Sequence, residues 1–441
     1  MEQRRKNLTQ LFIPICLETL LYMLSGMVDT LMLSSVNDQA VGAVGTANTY
    51  IGIFIIMFSV ISSGMVAVMT QNIGAGRPGV AYQARQLGLA FNAVLGVIMS
   101  LFLSLGAGTI LSGVGVADAL MQPAKTYLQI VGGFCILNAL IPICSSYLRA
   151  FGFSKEPLYA SIIGNVINFC LNAFFLFVLH KGVAGVATAT VISRIINLVI
   201  VVLLGAVLVK AKQHPERESN RAVMGQIIRI GLPSACETAI YNVSMTLVIR
   251  FLNQMDAQGL NVTARSYTMQ ITNFSYCVGA ALAQANAIMT GWHIGAKEYD
   301  ACDRGTKKAA VIGVIVAVIL ETVFTLCSGW IMQLFSKDPQ MVSLVGKLLA
   351  IDIVLEIGRV TNLVYGQALK TSGDAVFPVV MGACFMILCS VWGTYLFGIR
   401  LGLLAVGAYI GMTGDECVRA VGMYLRWKSG KWKEKGLVKS R

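Results

Sequence analysis

The chain has 441 residues, 56% of them hydrophobic and only 12% charged, with a mean hydropathy of +0.72. No soluble fold of this length buries so much apolar side chain around ordinary cores, which leaves a polytopic membrane protein. The formal charge of +13 does not point to nucleic acid, because the basic residues gather in short segments between apolar runs.

Apolar runs of about twenty residues or more predict about twelve transmembrane helices. They lie near 8–33, 41–69, 87–111, 125–150, 158–179, 185–209, 227–255, 262–290, 306–334, 341–369, 376–398 and 402–426. The runs are continuous and lack the alternation of a barrel strand, so the fold class is all-α. Arg4, Arg5 and Lys6 precede the first run as they would a signal peptide. That run is too long, carries Pro14 and Glu18 and has no small-residue cleavage site, so it is retained as the first helix. Further basic segments are Lys210 to Arg229, Lys297 to Lys308 and the tail from Arg426. The positive-inside rule then predicts a multi-pass protein of the cytoplasmic (inner) membrane with both termini in the cytoplasm and a basic tail within reach of anionic headgroups. The eleven cysteines show no metal-ligand spacing, and Cys16, Cys135, Cys144, Cys170 and Cys384 read as small core residues.

The chain repeats itself. PICLETLLY (Pro14–Tyr22) returns as PSACETAIY (Pro233–Tyr241), IGAGR (Ile73–Arg77) as IGAKE (Ile294–Glu298), and RAFG (Arg149–Gly152) as KTSG (Lys370–Gly373). All three pairs stand about 220 residues apart, the signature of a duplication. The long polar segment KAKQHPERESNR (Lys210–Arg221) separates the copies. The predicted organisation is an N-terminal six-helix lobe (1–209), a cytoplasmic linker (210–226), a C-terminal six-helix lobe (227–426) and a basic tail (427–441). An even helix count gives both halves one orientation, so the lobes are parallel repeats around a central cavity.

Acids at membrane depth are expensive and by default functional. Glu18, Tyr22, Ser25 and Asp29 share one helix face, since eleven residues return a helix to within about 20° of its start. Either Glu18 and Asp29 handle a proton or ion, or Arg194, the basic residue read as deep in this lobe, neutralises them. Asn165, Asn168 and Asn172 form a second stripe that serves either as glue between helices or as oxygen ligands. Asp29, Asn168, Asn172 and Thr190 would together supply about four side-chain oxygens to a sodium ion. The C-terminal lobe carries Glu237, Glu321, Asp352, Glu356, Asp415 and Glu416 with Arg359 and Arg419. Glu356–Arg359 and Asp415–Arg419 have the spacing of intrahelical pairs; a sharper alternative is a network between the tenth and twelfth helices that holds one access state closed. Pro14, interior to the first helix, is a candidate bend that links protonation at Asp29 to helix shape.

In this order, a series of motifs resembles the multidrug and toxic compound extrusion (MATE) transporter family over essentially the whole chain. They are MVDTLMLSS (Met27–Ser35), AVGAVG (Ala40–Gly45), QNIGAG (Gln71–Gly76), LRAFGFSKEP (Leu148–Pro157), NVINFCLN (Asn165–Asn172) and GVAGVATATVIS (Gly182–Ser193). DECVRAVGMYLRWKSGKW (Asp415–Trp432) looks like one bacterial branch of that family. The resemblance implies secondary active efflux of organic, cationic amphipathic compounds by antiport with H+ or Na+, through alternating access between the lobes. It also implies that Asp29, Asn168, Asn172 and Thr190 match the positions that bind the coupling cation, and that the first helix bends at the position of Pro14. Asn172 departs from the pattern, standing where many members carry a second aspartate.

A lipid-linked precursor flippase of the same superfamily is the alternative, but its pyrophosphate cavity needs several deep Lys or Arg, and here acids outnumber them. An intramembrane enzyme is remoter still: His180, His214 and His293 lie at helix ends or in loops, far apart in sequence. No P-loop is present for an ATP-driven pump. The expected partners are a small organic substrate and the lipid bilayer, with no nucleic acid, no cofactor beyond the coupling ion, and a monomeric state.

Overall fold

The computed structural model describes the chain except residues 1–5, 35–37, 114, 115, 117, 211–213, 257, 258, 334 and 439–441. Every predicted apolar run is helical, as the bilayer demands of a backbone that must satisfy its own hydrogen bonds. The elements are α1 (Leu8–Ser34), α2 (Asp38–Gly74), α3 (Pro78–Gly113), α4 (Asp118–Tyr127), α5 (Ile136–Ala150), α6 (Lys155–Ala173) and α7 (Gly182–Leu208). They continue with α8 (Asn220–Met255), α9 (Leu260–Gly295), α10 (Tyr299–Leu326), α11 (Ser328–Met332), α12 (Pro339–Thr371), α13 (Val376–Phe385) and α14 (Leu404–Lys428). The fourth predicted span is broken: Asp118–Gly132 meets Ile136–Ala150 at 43°. The eleventh runs from α13 through π-helical turns at Met386–Val391 and Thr394–Arg400.

Seven of the described helices are individually long and apolar enough to cross a membrane, and the bent pair makes an eighth. Six of these eight precede the polar linker. After it, α12 and α14 fall short because Asp352, Glu356, Arg359, Asp415, Glu416 and Arg419 interrupt their apolar sequences.

The chain divides into two compact units, Met1–Leu232 and Pro233–Arg441. The division falls inside α8. Its physical cause is the attachment of the linker to the first unit. Arg77 pairs with Glu218 at 2.6 Å, Gln83 donates to the Glu218 carbonyl at 2.7 Å and to Asn220 at 2.6 Å, and Arg217 donates to the Gly79 carbonyl at 3.0 Å. The first turns of α8 then press onto α2. A Cβ added at Gly64 would lie 2.0 Å from the Ile227 carbonyl oxygen, and one at Gly231 would lie 1.7 Å from that of Val60. Only glycine permits that approach of backbones.

Each unit has its own core, built around Ala43, Ala47, Leu103, Ala107 and Leu128 in the first, and Val248, Leu252, Leu348, Leu349 and Tyr409 in the second. The duplicated turns share a left-handed residue at matching places: Gly152 and Gly373 in one pair (φ +86° and +98°), Gly76 and Lys297 in the other (φ +73° and +62°). Lysine in that conformation shows where side-chain identity has drifted while the turn has stayed.

Candidate functional site

In the first unit a polar seam runs between α1 and α6. It starts at the helix-interior Pro14, which lacks an N–H and so frees the carbonyl of Gln10 one turn earlier. The fully buried Ser154 hydroxyl, just before α6, donates to that carbonyl at 3.0 Å. One turn beyond Pro14, Glu18 pairs with Arg149 at 2.5 Å and accepts from Ser161 at 3.4 Å. Asn165 then donates to the Leu21 carbonyl at 3.4 Å. The seam ends where the Asn172 amide donates to Asp29 at 2.6 Å and to Asn168 at 3.2 Å.

Two acceptors on one nitrogen fix which way that amide points. The Asn172 carbonyl oxygen is therefore left buried beside Asp29 without a hydrogen-bond partner. Asn168 and Asn172 are buried, and Asp29 is half-buried. An orphaned amide oxygen next to a carboxylate and a second amide is a donor set suited to a small hard cation or to a proton with water. Thr190 is buried on α7 with its hydroxyl donated to the Val186 carbonyl at 2.9 Å. Its oxygen keeps acceptor capacity. Arg194, also on α7, makes no ion pair within 4.0 Å among the described residues and acts on Asp29 at longer range.

Two sequence expectations change here. Glu18 is neutralised by Arg149, not by Arg194, a partner the sequence reading overlooked. Glu18 and Asp29 share a face of α1, yet eleven residues of helix separate them by about 16 Å, so the structure does not gather Glu18 into the Asp29 cluster.

The second unit repeats the first motif faithfully. Glu237 pairs with Lys370 at 2.5 Å, and these two occupy the places of Glu18 and Arg149 in the duplicated segments. Both carboxylates of the repeated motif are thus tied to the basic residue of another repeated motif. That partnership was readable in principle, since Arg149 and Lys370 open RAFG and KTSG.

Deeper in the second unit lies a charge network that the described residues of the first do not repeat. Arg419 grips Asp415 through two nitrogens at 2.8 and 2.9 Å and reaches Glu416 at 2.9 Å. Arg359 pairs with Glu356 on its own helix and stands 3.7 Å from Glu416 on α14. Asn362 donates to Glu416 at 3.1 Å and Ser390 to Asp415 at 3.0 Å. Both intrahelical spacings therefore close as ion pairs, and the pairs are joined across α12 and α14. Glu321 on α10 meets Asp352 and Glu356, with one oxygen of each within 4.8 Å of the others. All three are buried; both oxygens of Glu321, and one each of Asp352 and Glu356, have no hydrogen-bond partner.

A multi-pass helical protein with two related units, each holding ion-paired and unpaired carboxylates at membrane depth, has the build of a secondary transporter. Comparison with known proteins agrees. The MatE family model matches residues 14–174 and 233–396, one match to each unit. The chain is 34% identical over 436 residues to the uncharacterized transporter YisQ of Bacillus subtilis, covering 96% of this chain and 94% of that one. It is 23% identical to the probable multidrug resistance protein NorM of Thermotoga maritima, over 98% of this chain and 94% of that one. Among solved structures, an outward-facing multidrug resistance MATE transporter of the MOP superfamily aligns with a TM-score of 0.86 at 18% identity, over 98% of this chain and 96% of the other. A MATE crystal structure in the bent conformation aligns at 0.88 and 18% identity, over 97% of this chain and 96% of that one. The chain belongs to the MATE family: it is a membrane transporter with the MATE fold and not an enzyme.

Proposed function

We propose that this transporter exports organic, cationic amphipathic compounds in exchange for inbound H+ or Na+, with Asp29 as the coupling group. The observation that carries this reading is the contrast among the acids of the first unit. Glu18 is held in a short ion pair, whereas Asp29 has only amide contacts and an orphaned amide oxygen beside it. A carboxylate without a fixed countercharge is the one that gains by taking up a proton or sodium ion. Asn168 and Asn172 complete the ligand set, with Thr190 as a further oxygen and Arg194 as the charge that favours release of the cation. Alternating access between the two six-helix lobes would then exchange the cation for substrate, in a monomer of the cytoplasmic membrane with both termini inside. Pro14, with its freed carbonyl held by Ser154, gives α1 a defined point at which to bend.

A second reading is favoured by one observation: the second unit gathers five buried carboxyls, of Glu321, Asp352, Glu356, Asp415 and Glu416, of which Arg359 and Arg419 pair with Glu356, Asp415 and Glu416, while both oxygens of Glu321 have no hydrogen-bond partner. Uncompensated buried charge costs several kcal/mol, so the trio at Glu321 would couple transport by taking up the missing positive charge. In either reading the network across α12 and α14 serves as a gate. Flipping of a lipid-linked precursor gains nothing from the structure, because Arg149, Lys370, Arg359 and Arg419 are engaged by carboxylates.

Transport into inside-out vesicles, with proton and sodium gradients imposed separately, tests the assignment. Asp29→Asn is expected to abolish gradient-driven transport while substrate still binds; undiminished transport would remove the first-unit site. Loss of coupling in Glu321→Gln but not in Asp29→Asn would move it to the second unit.

A further inference from the structure

The C-terminal tail is not a free basic segment but a folded part of the second unit. Gly430 turns the chain in a left-handed conformation (φ +72°), and a 3-10 turn at Lys431–Glu434 follows. Trp432 is buried, stacks on Trp427 with ring centres 4.1 Å apart and planes within 8°, and donates to the Trp427 carbonyl at 2.9 Å. Tyr299, the first residue of α10, meets Trp432 edge-on. The Trp427 indole donates to Asp303 of α10 at 2.9 Å. The carbonyl of Lys435 covers Gly373, where an added Cβ would lie 2.3 Å from it. The end of α14, the start of α10 and the tail are thereby fixed side by side.

That arrangement brings two exposed apolar stripes to a common end. On α14, Val418, Val421 and Leu425 are exposed along one face, and the same stripe continues into exposed Lys428. On α10, Val323, Ile319, Ile315 and Val311 form an exposed stripe that runs back to Lys308 and Arg304, with Lys307 beside them. Lys431 and Lys433 project from the tail next to these ends, Lys433 close enough to act on Asp303. The acids nearby are Asp300, Asp303 and Glu434, and Asp303 is already engaged by Lys307 at 2.7 Å and by Trp427. Six cations thus stand against three acids where exposed apolar surface gives way to polar surface.

We propose that Arg304, Lys308, Lys428, Lys431 and Lys433 form a binding site for anionic phospholipid headgroups, and that the folded tail exists to present it. Acyl chains would lie along the two apolar stripes while the headgroup phosphate meets the lysines, a match that zwitterionic lipid makes less well. Each basic residue near an anionic surface multiplies affinity about fivefold.

The test uses the full-length protein in a non-ionic detergent, titrated separately with phosphatidylglycerol and phosphatidylcholine and read by native mass spectrometry. Wild type is expected to bind phosphatidylglycerol more tightly. The triple variant Lys428→Gln, Lys431→Gln, Lys433→Gln should lose about a hundredfold in that affinity and keep its phosphatidylcholine binding. Trp432→Ala, which keeps every charge but releases the tail, should lose most of the preference. Equal affinities for the two lipids, or an unchanged preference in the triple variant, would overturn the site. An unchanged preference in Trp432→Ala would overturn the role of the folded tail. Competition by soluble glycerol phosphate at equal concentration would assign the site to free phosphate and overturn the lipid.

Discussion

The two units of this transporter agree where they hold themselves together and differ where they carry spare charge. Glu18–Arg149 and Glu237–Lys370 are the same ion pair made twice, at 2.5 Å in both, from motifs that recur together. Around that shared pair the first unit sets Asp29 among amides, whereas the second gathers the buried carboxyls of Glu321, Asp352, Glu356, Asp415 and Glu416 around Arg359 and Arg419. Duplication has preserved the fastening and left the polar interior free to diverge. A carboxylate at membrane depth is therefore not in itself a coupling group; what distinguishes one is the absence of a fixed countercharge.

The sharpest way to break this contrast is to remove a cation from the crowded unit. Arg419→Met leaves Asp415 and Glu416 buried without their shared partner, and breaking such a buried pair costs about 3–5 kcal/mol. The variant is expected to unfold at markedly lower temperature in detergent than wild type. A wild-type melting curve would mean that the network across α12 and α14 contributes no stability, and a gating role for it would lose its footing.

A smaller effect tests the agreement between units. Arg149→Gln and Lys370→Gln each strand a mostly buried glutamate, at about 2–3 kcal/mol because both pairs retain some exposure. Pairing each with its partner's change, Glu18→Gln or Glu237→Gln, should restore most of the loss, to a similar degree in both units. The Glu18→Gln, Arg149→Gln double variant should also keep the wild-type dependence on the cation gradient. If that dependence vanished while the fold survived, Glu18 would be a coupling group after all.

Much of this was legible in the sequence, and the limits have physical causes. The helices follow from the apolar runs, eight of them long and apolar enough to span by that measure among the described residues, and the duplication from three motifs at one separation. The face shared by Glu18 and Asp29 is a property of helical period and holds, but period says nothing about distance along the axis, which is what separates their roles. Arg149 was missed because it sits near the end of an apolar run, where a basic residue reads as a solvated helix terminus. Ser154 was missed for a related reason: its task, closing the carbonyl that Pro14 frees, depends on a contact 144 residues away in sequence. The tail's charge was legible but its fold was not, because its lysines dominate its composition while the two tryptophans that fold it contribute little to any charge or periodicity pattern.

The finest probe concerns Asn172, the position where the first unit has an amide in contact with Asp29. Asn172→Asp replaces a donor to Asp29 with a second negative charge at hydrogen-bond distance. Two carboxylates so placed repel unless they share a cation, so the site should fill at lower cation concentration, by a factor on the order of ten. If the coupling ion is a proton, gradient-driven transport should persist about one pH unit further toward alkaline conditions; if it is sodium, the half-saturating concentration should fall tenfold with little change in pH profile. The combination Asp29→Asn, Asn172→Asp separates charge from place, because it returns the site to one carboxylate on the other helix. Recovered coupling would mean that the net charge of the cluster is what drives transport. A dead transporter would mean that the carboxylate must sit on α1, the helix that carries Pro14, so that neutralising it can act on the shape of that helix.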